Sequence, residues 1–406
     1  MCADSGIHAN MPADKPTPPA IPTIRLAALD LMLIQSTASL GRQPELVIAD
    51  AISEALSDPD PANMFMRMFY LLQALGKHEF ALEMQAKALE QCRLYRIADP
   101  SAPAIRLLAL LGPGSMLDNT PLEYVIENSG IRLDLLYLLP DQPMPEMVPD
   151  HDVAIVALAE SDRNRPLLAR MEEVLAAWPR PVLNPPRRIL RCARDAACRL
   201  LRDAPGLLVP ETRRLARGLI GQPAFPLTIR PVDTHGGQGL RKIDSAAELG
   251  AYLEAFADEQ FYCSEYVDYR SADGQFRKYR IALIDEQPYI CHLAIADEWV
   301  VHYARAGMQL SAWKCAEEAA AMESFDRDFA LRHRVALAAI AARLQLDYVI
   351  LDCAEAADGR LLLFEADTRG WIHASDPVDL FPYKQETMQK AFDAFRAMLV
   401  KRSRPA

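Results

Sequence analysis

Four short apolar runs set the tightest limit on what this chain can fold into. IRLLALL (Ile105–Leu111), LDLLYLL (Leu133–Leu139), VAIVAL (Val153–Leu158) and PVLN (Pro181–Asn184) are nearly continuous in apolar residues, and helix-length segments separate them. A strand without polar alternation must be covered on both faces, and chains achieve this by alternating strands with helices. Residues 104–186 therefore read as an α/β domain built on a mostly parallel sheet. The GPG at Gly112–Gly114 follows the first run, but it lacks GxGxxG spacing and a well-placed acidic residue. It reads as a plain turn rather than a dinucleotide loop.

The flanks have different rhythms. Residues 1–23 carry several prolines and almost no apolar periodicity, the pattern of a flexible tail. Residues 24–98 read as helices in antiparallel hairpins: IRLAALDLMLIQS, ELVIADAISEAL, ANMFMRMFYLLQALG and EFALEMQAKALEQC. The last pair, broken at Gly76, resembles a tetratricopeptide unit; a small helical cap on the rest of the molecule is the other reading. ADPSAPA then marks a boundary. From 187 to 402, LTIRPV, FYCSEYV, YRIALID, PYICHLAI, DYVILDC and RLLLFEAD read as strands, several joined as hairpins, with three helices among them. That mixture is an α+β unit.

Composition removes whole classes of function without naming one. A formal charge of -11 argues against general affinity for nucleic acid or anionic lipid. No stretch approaches the ~18 apolar residues of a membrane span, and the N-terminus has no signal-like apolar segment. The eight cysteines form no CxxC pair and no zinc-like cluster, so they read as buried or partly buried thiols in a reducing, cytoplasmic compartment.

The chemistry concentrates in three segments of the last region. In DYVILDCAEAADGRLLLFEAD, a two-residue Asp358-Gly359 turn sets Asp352 opposite Glu365, and the period of two puts Asp367 on the same face. Three carboxylates on one strand face repel one another unless a cation neutralises them, and an all-oxygen set suits Mg²⁺. A solvated acidic strand edge, or a longer AADG loop that shifts the pairing, is the alternative. In PLTIRPVDTHGGQGLRKI, Arg230 leads into His235, Gly236, Gly237, Gln238 and Gly239, where small residues let backbone N–H groups approach phosphate oxygens. An ordinary glycine hairpin would give the same letters. In FRKYRIAL, Lys278 and Arg280 share a strand face, suited either to phosphates beside a metal or to a basic strand edge. Arg369 follows the acidic set and could clamp an anionic substrate.

In this order, after NPPRRILRCARDAACRLLRDAPGLLVPET and around SEYVDY, these segments resemble the ATP-grasp superfamily, especially ribosomal-protein glutamate ligase and D-alanine–D-alanine ligase types, over roughly residues 105 to 400. The resemblance implies an ATP-grasp fold behind a Rossmann-like pre-ATP-grasp domain, with ATP and Mg²⁺ as cofactors. It implies adenine recognition by the backbone of Glu265, Tyr266 and Val267, metal binding by Asp352, Glu365 and Asp367, and phosphate contacts from Arg230, Lys278 and the glycine turn. Arg280 and Arg369 become the catalytic candidates. The pattern departs from the family at Arg230, where Lys is usual, at Ala196, where a Lys usually follows Asp195, and at Asp367, where Asn is usual.

The function expected is ATP-dependent ligation, with a carboxylate activated as an acylphosphate and captured by an amine or peptide nucleophile. The alternatives are a catalytically weak nucleotide-binding or peptide-binding scaffold, which the replaced lysines favour, and a phosphotransferase. No GxSxG, HExxH or kinase HRD/DFG pattern occurs. The helical region has three candidate roles: recruiting a protein or peptide, closing the site, or forming a homodimer.

Overall fold

The computed structural model describes residues 21–23, 44–98, 100–126, 129–145 and 148–404. The first expected helix, IRLAALDLMLIQS, lies outside them. The other three are present as Pro44–Leu56, Pro61–Ala74 and His78–Gln91. The second begins where Asp60 accepts from Ala62 N with Pro61 at the first position, and it stops just before Gly76, whose φ of 70° favours a residue without Cβ.

The next residues do not continue the helical region. Leu94–Ala98 is strand β1, antiparallel to β3 at the edge of a five-stranded sheet ordered β1-β3-β2-β4-β5. LYRI alternates, with Tyr95 and Ile97 buried and Arg96 turned to Asp134 at 2.7 Å, a period of two that four residues are too few to announce. The remaining strands are parallel: β2 Ile105–Leu111, β3 Ile131–Tyr137, β4 Val153–Val156 and β5 Val182–Leu183. Their interior residues are almost fully buried, as continuous apolar runs require.

The last region holds two further sheets. Strands β7 (Thr212–Ala216), β10 (Gln260–Glu265), β8 (Leu227–Pro231) and β9 (Arg241–Ile243) form an antiparallel sheet in the order β7-β10-β8-β9. The other, ordered β12-β11-β13-β14-β6, comprises β12 (Gln287–Ala296), β11 (Phe276–Ile284), β13 (Tyr348–Glu355), β14 (Leu361–Asp367) and the short β6 (Leu207–Leu208). Sequence reading missed β6 and β7, which are short or polar, and the alanine-rich helix Ala312–Ser324.

Two devices join the sheets. The C-terminal helix Lys384–Ser403 buries Phe392, Phe395, Met398 and Leu399 in one cluster with Leu107 and Ala109 of β2 and with Ile284 and Tyr348 of the third sheet. Asn184, just beyond β5, donates Nδ2 to Tyr348 O (2.8 Å), while its Oδ1 accepts from Asp347 N (2.9 Å). That buried exchange pins the start of β13 and so fixes which of its residues face the cleft. Among the described residues every cysteine is a free thiol, five of them buried, and no helix is long and apolar enough to cross a membrane.

Candidate active site

The site grows from the β13–β14 hairpin. Asp352 is paired with Glu365, as the turn predicts, but by a different route. Ala356 N donates to Arg360 O (2.9 Å), so the turn spans three residues with Gly359 at φ 81°. This puts Cys353 opposite Leu363, one residue off, and a bulge at Phe364 restores the register before Asp352. The bulge sets the Phe364 ring 4.9 Å from Tyr269, in the cleft wall rather than on the apolar face that strict alternation gives it.

The acidic trio does not converge on an open centre. Asp352 accepts from Arg280 through both oxygens (Nε to Oδ1, 2.8 Å; Nη2 to Oδ2, 3.0 Å) and from Lys278 Nζ (3.0 Å). Glu365 Oε1 accepts from Arg194 Nη2 at 2.7 Å. Asp367 accepts from the backbone N–H of Arg369 (3.0 Å) and from its Nε. Among the described residues no group of three or more His, Cys, Asp or Glu side chains is arranged to hold a metal ion. Every oxygen of the trio but Glu365 Oε2 already has a donor, so this arrangement does not fit a cation caged by all three carboxylates. The like-charge problem that pointed to a metal is met here by guanidinium and ammonium groups.

Electrostatics follow from burial and these partners. Burial alone would raise Asp352, but Arg280 and Lys278 overcome it and hold its carboxyl far below the usual range. Burial works against Glu365 too, and Arg194 and Arg230 still pull it down to about 2. In Asp367 burial prevails over Arg369 and the carboxyl is raised. Arg230, 7% exposed, is pushed down to about 9 by burial and then by the charge of Arg194. Five cations (Arg194, Arg230, Lys278, Arg280, Arg369) thus face three carboxylates, and a cation stressed in this way is relieved by an incoming anion.

Arg230 also braces the glycine turn, donating Nε to Thr234 Oγ1 (3.0 Å) while Nη2 reaches Thr234 O. Gly236, Gly237 and Gly239 all have positive φ, and a Cβ on Gly239 would meet Pro231 Cδ at 2.7 Å. His235 Nε2 lies 3.0 Å from Arg369 Nη1; burial and then that guanidinium push its pKa down to about 3. Gln238 closes the turn, its N–H donating to His235 O (2.9 Å).

Three cavities line up through this centre. The first, about 190 Å³, lies between the four-stranded and third sheets. Glu265, Tyr266, Val267, Tyr269, Leu363 and Phe364 line it, and Arg194, Arg230, Lys278, Asp352 and Glu365 close its polar end. Tyr266 is wedged edge-on against Trp299 at 5.7 Å, with Lys242 Nζ 4.8 Å from its ring centre. The second, about 420 Å³, lies across Asp352 and Glu365 and is lined by Arg280, Asp367, Arg369, His292, His302 and Trp371. Leu117, His235 and Trp371 also line the third, of about 550 Å³, so the compartments adjoin in series.

The structure thus gathers Arg230, His235, Gly236, Lys278, Arg280, Asp352, Glu365, Asp367 and Arg369 along one path, with Glu265, Tyr266 and Val267 in the first cavity and Gln238 in the third. Gly237 and Gly239 shape the turn and line none of these three cavities. Sequence reasoning missed two residues. Arg194 sits in a basic helical stretch where every arginine looks like solvated surface. Lys384 opens an amphipathic helix, yet it is 1% exposed and donates to Asp376 at 2.9 Å beside Glu318.

No family model matches the chain. No curated protein matches it either. Solved structures do. The RimK domain protein ATP-grasp from Sphaerobacter thermophilus is 16% identical, covering 72% of this chain and 99% of its own, with a TM-score of 0.41. The chain is similar to ATP-grasp ligases. The VanG D-Ala:D-Ser ligase from Enterococcus faecalis is 13% identical over 73% of this chain and 99% of its own, at 0.43. The ligase PsnB, solved with precursor peptide PsnA2 and AMPPNP, is 15% identical over 75% and 99%, at 0.41.

Proposed function

We propose that this chain is an ATP-dependent ligase of the ATP-grasp type, which activates a carboxylate as an acylphosphate and passes the acyl group to an amine or peptide nucleophile. One observation carries the reading: an aromatic-walled slot and a polar chamber share a wall at Asp352 and Glu365, with Lys278 and Arg280 at the junction. A nucleotide base in the slot, between Tyr266, Val267 and Phe364, would carry its phosphates toward Arg194, Arg230 and Lys278. A carboxylate in the chamber would meet the γ-phosphate beside Arg280.

In this reading the chain contributes position and charge rather than a covalent nucleophile. The substrate carboxylate attacks the γ-phosphorus and ADP leaves. The amine then attacks the acyl carbon and the phosphate departs with the bridging oxygen. Arg280 and Arg369 would turn from Asp352 and Asp367 to the transferring phosphoryl group, while the Gly236–Gly239 turn covers it. Mg²⁺ would enter with the phosphates and supply charge neutralisation there, met by Glu365, whose Oε2 has no donor among the described residues. Arg194 supplies from the same helix the positive charge that Ala196 lacks.

Around this core we take residues 104–186, with β1 added at the edge of their sheet, as a Rossmann-like pre-ATP-grasp domain, 187–402 as the ATP-grasp domain and the helices of residues 44–91 as a tetratricopeptide-like region in a cytoplasmic protein. The second reading, a catalytically weak nucleotide-binding scaffold, draws on the arginine partners that already occupy the acidic trio.

Mg²⁺-dependent ADP release separates the two. Pooled amino acids, small carboxylates and peptides are offered to wild type and to Glu365→Gln. A pool should stimulate wild type by tenfold or more over the variant. Nucleotide binding with no pool raising release above the variant leaves only the scaffold.

A further inference from the structure

The third cavity differs from the others in its walls. One side comes from the helical hairpin, through Tyr70, Gln73 and His78; the other comes from the turn after β2, the glycine turn and Trp371. The hairpin is fixed there: Gln85 exchanges two hydrogen bonds with Gly114 of the β2 turn, Nε2 donating to Gly114 O (2.9 Å) and Oε1 accepting from Gly114 N (2.7 Å). Its inner wall is therefore part of the chamber rather than a loosely docked cap.

Two donors in this wall have no acceptor among the described residues. Gln73 is 7% exposed; its Oε1 accepts from His78 Nδ1 (3.3 Å), leaving Nε2 unpaired. Trp371 Nε1 is unpaired too, while its ring is held 5.6 Å from Tyr124 and the chain before it is pressed onto Ile350, where a Cβ on Gly370 would come within 2.5 Å. Buried donors without acceptors are uncommon and costly, and a ligand oxygen that pairs them recovers the loss. Both donors are neutral, and Arg163, the arginine in the same wall, already faces Asp118 at 3.9 Å, so the pair suits a neutral acceptor, an amide carbonyl, better than a carboxylate, which would seek a cation.

We propose that this outer cavity binds an amide-bearing substrate, a peptide or an N-acylated amino acid, and that Gln73 of the helical hairpin and Trp371 position its carbonyl oxygens. The hairpin is then a specificity element that reads the substrate's backbone beyond the reacting group. This deepens the ligase reading and rests on it, since the cavity opens into the chamber through His235 and Trp371.

The test is calorimetric titration of the full chain, without nucleotide, with N-acetyl-trialaninamide, which carries amide groups only, and with L-alanine and acetate as comparators. The blocked peptide should bind more tightly than either. Gln73→Leu and Trp371→Phe should each weaken it about tenfold, the value of one hydrogen bond to a neutral group. Gln73→Leu removes the unpaired donor together with the bond from His78, whose exposed ring can turn to water, so it should melt close to wild type; a purely structural glutamine would melt lower. Gln73→Glu keeps the size and the bond to His78 but replaces the donor with an acceptor, and it should lose binding as well. Equal affinity in wild type and these variants, no binding of the peptide, or equal binding of acetate or alanine overturns the proposal. ADP release that amino acids stimulate while the peptide stays silent counts against this inference alone. Peptide binding without stimulated ADP release counts against the ligase reading alone.

Discussion

His235 is where position and charge meet most sharply. Its imidazole is half-buried beside a guanidinium, and its pKa is pushed down to about 3 by burial first and Arg369 second. Between pH 6.5 and about 3 the unfolded chain binds a proton that the folded chain refuses, so stability falls as the pH drops through this window. His292, His302 and His373 are lowered in the same direction and for the same first reason, burial. Thermal midpoints should therefore decline from pH 7 to pH 5, and His235→Gln, which cannot titrate, should decline less steeply. Identical slopes would mean that His235 is protonated in the folded state. At this scale the sequence was only partly readable. His235, Arg280 and Asp352 stood out by residue type and spacing, whereas Arg194 did not, because nothing local separates an arginine that reaches a cleft from its solvated neighbours.

At the level of elements, the hairpin and the glycine turn position the charges, and both work through departures from regularity. The Asp352–Glu365 pair was legible, but the reasoning behind it contained two one-residue errors that cancel: a turn one residue longer than Asp358-Gly359 suggests, and the bulge at Phe364. A bulge leaves little trace in residue order, since Phe364 suits either an apolar strand face or an aromatic cleft wall. The long strands β2, β11, β12, β13 and β14 were visible because burial forces their composition, while β1, β6 and β7 are too short or too polar to be forced. In the glycine turn, Gly239→Ala would add a Cβ against the rigid Pro231 ring at positive φ, an expected loss of about 2–4 kcal/mol. Gly236→Ala meets nothing within 4 Å and should lose only about 1 kcal/mol from the backbone conformation. Urea denaturation of the two variants checks the ranking, and equal losses would refute the close approach at Pro231.

At the scale of the whole molecule, a chain with a charge of -11 still collects positive charge in one cleft. Five of its cations, Arg194, Arg230, Lys278, Arg280 and Arg369, gather around three carboxylates where the sheets leave adjoining compartments. The trio that sequence reading assigned to a metal instead holds arginine and lysine partners, which a nucleotide's phosphates could draw away. The proposed acylphosphate chemistry would leave a direct mark, because one oxygen of the substrate carboxylate must depart with the phosphate. Wild-type protein incubated with ATP, Mg²⁺, an amine or peptide pool and ¹⁸O-labelled carboxylates should release phosphate carrying one labelled oxygen per turnover, read by mass spectrometry. Phosphate released without label would mean that water, not a carboxylate, attacks the nucleotide, and it would contradict the ligase account.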